Sequence, residues 1–520
     1  MITPLTPLQL AARGFKYYGP RLALIDGECQ YTYDQWSERI FRLARALQHA
    51  GVRPGEHVAA LMPNTGAMLD MFYAVPWIGA ILVPLNTRLA TEDYEYILSH
   101  SESRLIVVDG NLWPLIEPLK ERLPPVWISG QPVEGQIDFE SWVASFSGEP
   151  LPLPAVREDD TLSLNYTSGT TARPKGVELT HRNLLINAVD FTYHLQIGLG
   201  DVYLHTLPMF HVNGWGGVWA ISGVGGVHVT LPKVEGNLIW QAIRQHGVTR
   251  MCGAPAVLNM MTHTATDGVG EPIVVATAGA SPPAAIIERM ESLGFRIIHV
   301  YGLTEVSPFI TVSEWVPEER AWPVDHRAIR SSRQGIAQLL AGEVRVVRAD
   351  GTDVREDGHE MGEIVCQGNV VMKGYFKDPE ATEKAIRDGW FHTGDLAVVH
   401  SDHYIEIRDR EKDVIISGGE NISSVEVESV LYRHPAVAEA AVVSVPHEKW
   451  GETVKAIIVA KAGMNPTADD IIGFCRDHLA HFKCPTSVEF VSALPRTASG
   501  KVQKYVLREP FWKDQRTRAH

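Results

Sequence analysis

The sequence predicts an α/β and α+β multidomain protein. A large N-terminal domain of mostly parallel sheets with helices would contain a small β-rich subdomain, and a small α+β C-terminal domain would follow. Three observations carry this. Short apolar runs alternate with helical stretches up to HVYGLTE (299–305). Near Gly335 the texture changes to short β-rich runs, and after the charged stretch IRDREKD (407–413) a new compact unit begins. At 520 residues the chain is also too long for one ordinary core.

Between Tyr33 and Ala50, residues Trp36, Ile40, Leu43 and Leu47 recur at spacings of four, three and four. That is one apolar helix face, stopped by Gly51. HVAALM (57–62) reads as a buried strand; a second helical stretch leads to AILVPLN and a third to RLIVVD (104–109). Strands alternating with helices require crossover connections, hence parallel pairing. The rhythm resumes after residue 160. From about 335 to 411, EVRVV and EIVCQG are separated by turn signals such as Asp350–Gly351, which predicts a small sheet. The last unit reads helix (SSVEVESVLYRH), strand (VAEAAVVSV), strand (TVKAIIVAK), helix (TADDIIGFCRDHL, capped by Thr467), strand (TSVEFV) and a basic loop. The expected domains are therefore 1–412 and 413–520.

Composition narrows the function classes. With 45% hydrophobic and 21% charged residues the chain is globular in type, and its net charge of −15 disfavours nucleic acid as a partner. Five scattered cysteines without a CxxC pair suit a reducing cytoplasm rather than a disulfide framework or zinc site. MITPLTPLQLAARG has no signal-peptide pattern, and AVPWIGAILVPL is shorter than the ~20 residues a membrane span needs. A cytoplasmic location, as monomer or homodimer, is the expectation.

The stretch YTSGTTARPKGVELTH (166–181) concentrates hydroxyls, glycines and a lysine in the manner of a polyphosphate grip. It is not a Walker A loop, because counting from Gly169 the required second glycine is Pro174 and the required hydroxyl is Gly176. An apolar strand (TLSLNY) feeds it and an extended stretch leaves it, so a mobile clamp of N–H groups and hydroxyls, with Lys175 as counter-charge, fits better than a rigid cradle.

YTSGTTARPKG resembles the phosphate-loop signature of the adenylate-forming superfamily, which includes acyl- and aryl-CoA synthetases, luciferases and peptide-synthetase adenylation domains. PMFHVNG (208–214), GAS (279–281), YGLTE (301–305), WFHTGD (390–395), DREKDVIISGGENISSVEVE (409–428) and PRTASGKVQK (495–504) follow in that family's order. The resemblance implies ATP, Mg2+ and coenzyme A as cofactors and a carboxylic acid as substrate, activated as an acyl-adenylate and passed to the CoA thiol. It implies that Thr167, Ser168, Gly169, Thr170, Thr171 and Lys175 hold the β- and γ-phosphates. Gly279, Ala280, Ser281, Tyr301 and Gly302 would line the nucleotide site, with Thr304 at the α-phosphate and Glu305 on Mg2+. Asp395 would take the ribose hydroxyls with Arg410 in support, and Lys501 would bridge carboxylate and α-phosphate. Rotation of a mobile C-terminal domain about Lys412 would present Gly418, Gly419 and Glu420, with Trp450 of the WGE segment, to the pantetheine arm. His211, Val212, Asn213, Gly214 and Trp215, with Gly279 and Leu303, would form the acyl pocket, Trp215 standing where fatty acyl-CoA synthetases have a tunnel gate.

The leading expectation is an AMP-forming ligase for a medium- to long-chain fatty acid or similar aliphatic acid, attached peripherally to a membrane if the acid is long. An aryl-acid ligase of the cinnamate or benzoate kind shares every motif. Enzymes that load a carrier protein and luciferase-like monooxygenases are further alternatives. A catalytically dead sensor is disfavoured because Lys501, Glu305 and the phosphate loop are all present.

Overall fold

The computed structural model describes residues 3–167, 173–265, 267–279, 284–410, 413–418, 420–447, 449–496 and 502–512. The chain divides into two compact units, one of Met1–Ser331, Ala337–Val344 and Cys366–Phe391, the other of Ser332–Ile336, Arg345–Val365 and His392–His520.

The first unit is built on two large sheets, one of nine strands and one of eight. Their central strands pair parallel: His57–Leu61 lies between Ile81–Pro84 and Leu105–Asp109, and Ile273–Thr277 lies beside Phe295–Gly302. The expected helix forms as Tyr33–His49, with Trp36, Ile40, Leu43 and Leu47 fully buried. Thr32 starts it with a capping box, accepting from the Gln35 N–H while the Gln35 side chain accepts from the Thr32 N–H. Helices Gly66–Trp77 and Thr91–Ser101 supply the next two crossovers. An N-terminal helix, Leu8–Tyr18, and the pair Leu22–Asp26 and Cys29–Thr32 extend the nine-stranded sheet at one edge, an addition that the sequence reading did not contain.

In the second unit, Trp390–Val399 pairs antiparallel with Ile405–Arg410. A separate sheet follows, in which Val437–His447 and Gly451–Ala460 form a long antiparallel pair and Ser487–Phe490 adds parallel to it. Helices Ser424–Leu431 and Ala468–His478 cover that sheet through Val427, Leu431, Ile471 and Cys475. Thr467 caps the second of them, as expected. The terminal "basic loop" needs correction: it continues into a helix, Lys504–Trp512. Its start is fixed where the Lys504 ammonium meets the partly buried Glu428 carboxylate at 2.8 Å, a long-range pairing that local polarity does not announce.

Candidate active site

Strands Thr161–Thr167 and Lys175–Thr180 pair antiparallel with Thr167 opposite Lys175, so the phosphate-loop signature closes a hairpin. Ser168, Gly169, Thr170 and Thr171 lie outside the described residues. At the base of the hairpin the Tyr166 hydroxyl and His100 Nδ1 are 2.7 Å apart, His100 stacks on Tyr96, and the Arg173 guanidinium lies over the Tyr96 ring at 5.2 Å. The Lys175 ammonium lies 4.7 Å from the centroid of the Tyr375 ring. Tyr375 arrives there because Gly374–Tyr375 pairs with the outer edge of the same hairpin, Tyr375 opposite Val177.

The Tyr375 hydroxyl donates to Glu305 Oε1 at 2.9 Å, and the Glu305 carbonyl accepts from the Met372 N–H at 2.7 Å. Burial, reinforced by the Glu305 charge, holds the phenol above its ordinary range, so at neutral pH it remains a donor. Lys175 and Glu305 are thereby brought to one aromatic ring that no sequence motif contained. Among the described residues no group of three or more His, Cys, Asp or Glu could cage a metal. A single half-buried carboxylate, Glu305, suits Mg2+ that is shared with substrate phosphates, because this ion keeps its waters and takes only one or two carboxylates.

Thr304 and Glu305 occupy a tight turn after strand Phe295–Gly302, closed by Val306 N–H to Leu303 O (3.0 Å) and Ser307 N–H to Thr304 O (3.2 Å). Gly302 is required there, since a Cβ would overlap the Pro308 carbonyl. Tyr301 and Thr304 are buried. Strand Ile273–Thr277 is the parallel neighbour of Phe295–Gly302, so Gly279 and Thr304 follow the same carboxyl edge, where open α/β sheets bind ligands. Ala280 and Ser281 lie outside the described residues.

The segment after His211 folds in an unusual way. Val212, Asn213, Gly214, Trp215 and Gly216 all have left-handed backbone, with φ of 42, 54, 57, 61 and 88°. Such a run is strained for Val and Trp, and persists only where the surroundings over-determine it. Trp215 is 4% exposed and packs edge-on against Phe309, ring centroids 4.9 Å apart. Asn213 belongs to a closed ring of hydrogen bonds. Ser163 Oγ donates to Asn165 Oδ1 (2.9 Å), Asn165 Nδ2 to Asn213 Oδ1 (3.1 Å), and Asn213 Nδ2 to Ser163 Oγ (2.8 Å). With its amide nitrogen turned toward them, Asn187 donates to the carbonyls of Trp215 and Ser307, both at 3.2 Å. Sequence reading missed Ser163, Asn165, Asn187 and Tyr375. The one available signal was in TLSLNY, where two polar residues share a face of an otherwise apolar strand.

In the second unit, Asp395 and Arg410 are direct cross-strand partners, with Arg410 Nε 3.4 Å from Asp395 Oδ1. Opposite charges at paired positions are mutually supporting. Gly418, at φ 62°, donates its N–H to the Trp450 carbonyl at 2.9 Å, so two of the proposed pantetheine contacts are neighbours. The Trp450 ring is 42% exposed and stacks on His447 at 4.4 Å. Glu420 is exposed. Lys412, Gly419 and Lys501 lie outside the described residues. The segment that contains Lys501 is closed at its base by the Arg496–Val502 bridge and by Gln503 N–H to Pro495 O at 2.8 Å. Arg496 pairs with Glu439 at 3.0 Å, and the partly buried Lys504 with Glu428.

Residues 12–376 match the family described as AMP-binding enzyme, and residues 426–501 match the AMP-binding enzyme C-terminal domain. A 2-methylpropanoate–CoA ligase of Humulus lupulus is 41% identical, the alignment covering 98% of this chain and 95% of that one. A peroxisomal butyrate–CoA ligase of Arabidopsis thaliana is 39% identical over 97% of this chain and 93% of its own. Among solved structures, an anthranilate CoA ligase in complex with anthranoyl-AMP superposes with a TM-score of 0.88 at 26% identity, covering 98% of both chains.

Proposed function

The chain belongs to the AMP-binding enzyme family and is an acid–thiol ligase that uses ATP, Mg2+ and coenzyme A; from that premise we propose that its acid is a short-chain aliphatic carboxylate. The observation that carries the choice of acid is Trp215, which lies buried and packed edge-on against Phe309 within the segment assigned to the acyl group, and so leaves that segment filled rather than open. Relatives that act on 2-methylpropanoate and butyrate support the same reading. This proposal takes the place of the medium- to long-chain expectation. A water-soluble acid needs no membrane delivery, so the proposal keeps a cytoplasmic setting and drops peripheral attachment. Among the described residues no helix is long and apolar enough to cross a membrane.

The first half-reaction forms a bond between a carboxylate oxygen and the α-phosphorus of ATP and breaks the bond to pyrophosphate. Charge develops on the phosphate oxygens, and fixed cations and donors stabilise it. Lys175, held over the Tyr375 ring, neutralises the β- and γ-phosphates together with the loop from Thr167 to Thr171. Thr304 donates to the α-phosphate. Glu305, oriented by the Tyr375 hydroxyl, would hold Mg2+, which when bound would supply positive charge to the phosphates. Lys501 bridges carboxylate and α-phosphate, and Asp395 accepts the ribose hydroxyls with Arg410 beside it. His211 and Trp215, with Val212 to Gly214, Gly279 and Leu303, bound the acyl group.

In the second half-reaction the CoA sulfur attacks the acyl carbon, the carbon–oxygen bond to AMP breaks, and the thiol proton leaves to solvent. In this reading the C-terminal domain would turn about Lys412 and offer Gly418, Gly419 and Glu420, with Trp450, to the pantetheine arm; the bond between the Gly418 N–H and the Trp450 carbonyl supports that grouping. The test is CoA-thioester formation, with acid-dependent pyrophosphate release, across acids from acetate to dodecanoate plus benzoate and cinnamate. Turnover should peak between acetate and hexanoate. A peak at octanoate to dodecanoate would restore the longer tunnel, and a peak at benzoate or cinnamate the aryl alternative.

A further inference from the structure

The hydrogen-bonded ring of Ser163, Asn165 and Asn213 has been given no role so far, yet it joins two parts of the site. Ser163 and Asn165 lie two residues apart on one face of strand Thr161–Thr167, which runs straight into the phosphate loop. Asn213 lies in the left-handed turn between His211 and Trp215. The three side chains are buried, and each of them donates and accepts one bond within the ring. On the other side of the turn, Asn187 holds the Trp215 carbonyl and the Ser307 carbonyl together, next to the Thr304–Glu305 turn. Asn187 belongs to helix His181–His194, whose Asn183 donates to the Asn369 and Val371 carbonyls at 2.7 and 2.9 Å; the Ser307 hydroxyl donates to the intervening Val370 carbonyl at 2.7 Å.

We propose that Asn213 is a positioning residue for adenylation: through the closed ring it fixes the acyl-binding turn against the strand that delivers the phosphate loop, so that the acid's carboxylate and the α-phosphate are held in one frame. With its side-chain amide engaged in the ring, it acts through Trp215 and the strand that leads to the loop. The proposal rests on the CoA-ligase reading and deepens it. A purely packing role would not need this chemistry, because three apolar side chains of similar shape fill a buried space at almost no cost. The strain of the left-handed run has the same implication, since strained backbone gathers where geometry serves function.

The variant Asn213→Gly removes the side chain while keeping a residue that accepts left-handed backbone. Acid-dependent ATP–pyrophosphate exchange is measured with butanoate and hexanoate, alongside a thermal melt. A fixed apolar pocket separates acids that differ by a methylene by about tenfold or more per carbon. In the variant that preference should collapse toward unity, and kcat should fall about ten- to hundredfold as reacting atoms lose alignment. A folded variant with lowered Tm but unchanged preference and kcat would overturn the proposal, leaving the ring a matter of stability. Should Asn213→Gly fail to fold, Ser163→Ala opens the same ring by one hydroxyl. It should shift preference and kcat in the same direction by less, and a folded Ser163→Ala with both unchanged would equally overturn the proposal. Failure of the CoA-ligase reading is read separately, on the wild-type protein, as exchange that no carboxylic acid stimulates.

Discussion

Replacing Tyr375 by Phe deletes one hydroxyl and leaves the ring beneath the Lys175 ammonium. The lost bond is the 2.9 Å donation to Glu305 Oε1. Hydrogen bonds to a charged partner contribute about 1.5–3 kcal/mol, which corresponds to roughly 12- to 160-fold if the whole of it is expressed in the transition state. The contact of Lys175 with the ring survives in Phe, since it depends on the π-face and not on the hydroxyl. Tyr375→Phe should therefore lower kcat/KM for ATP about 10- to 150-fold and raise the Mg2+ concentration that gives half-maximal rate. Tyr375→Ala should lose about a further two- to fivefold, the ~0.5–1 kcal/mol of the cation–ring contact. The assay is ATP–pyrophosphate exchange at saturating acid with Mg2+ titrated, beside thioester formation from supplied acyl-adenylate. An unchanged Mg2+ titration in Tyr375→Phe would refute the assignment of Glu305. So would an equal loss in the thioester step, where the pyrophosphate has already gone.

Lys501→Ala should abolish most adenylate formation yet leave thioester formation from supplied acyl-adenylate near wild type; equal losses would remove Lys501 from the first step. Trp450→Ala should show the reverse, with raised KM for CoA and unchanged pyrophosphate exchange, and its half-exposed ring predicts little change in Tm. Lys504→Met leaves the buried Asp409 and the partly buried Glu428 carboxylates without their cation, and should destabilise the second unit by about 2–3 kcal/mol in a denaturant melt, less than a fully buried pair; a loss under ~1 kcal/mol would mean that the cluster relaxes to solvent. His205 is buried against His228, and burial lowers its pKa from 6.5 to about 3. Between those values the unfolded chain binds a proton that the fold refuses, so stability should fall by about 1.4 kcal/mol per pH unit on acidification through that window. Urea unfolding between pH 5 and 7 should show that slope reduced in His205→Asn, and an unaltered slope would place the titration elsewhere.

The strand–loop–strand course of the phosphate signature was legible, because an apolar strand feeds it and an extended stretch leaves it, whereas the pairing of Asp395 with Arg410 was not, because the two lie in separate motifs that only the sheet brings together. The helix Tyr33–His49 was legible for a different reason, a periodic apolar face and a capping box that are both encoded within a few positions. Tyr375 was not legible, because it reaches Glu305 only through the edge pairing of a two-residue strand with the hairpin, and nothing near it in the chain hints at that register. The left-handed turn at Val212–Gly216 was half visible. Its residues read as an acyl pocket, but not as a left-handed turn in which Gly216 is needed because a Cβ there would overlap the Asn187 amide. Ser163 and Asn165 broke the apolar pattern of their strand, but a polar residue on a buried face names its partner only once the fold supplies one.

The antiparallel return of the chain after the phosphate loop bears on how easily the reaction lets go of its first product. Where a loop runs into a helix, the anion rests on the helix's partial positive end, an attraction built into the backbone and hard to switch off. Here Lys175 opens a strand instead, so under the proposed reading the charge restraining pyrophosphate would come from a side-chain ammonium and from a metal ion able to depart with its ligand. Attraction of that kind is screened by salt. Pyrophosphate should therefore be a weak product inhibitor whose inhibition constant rises with ionic strength, which suits an enzyme that must clear a highly charged product before a second, bulkier substrate can react.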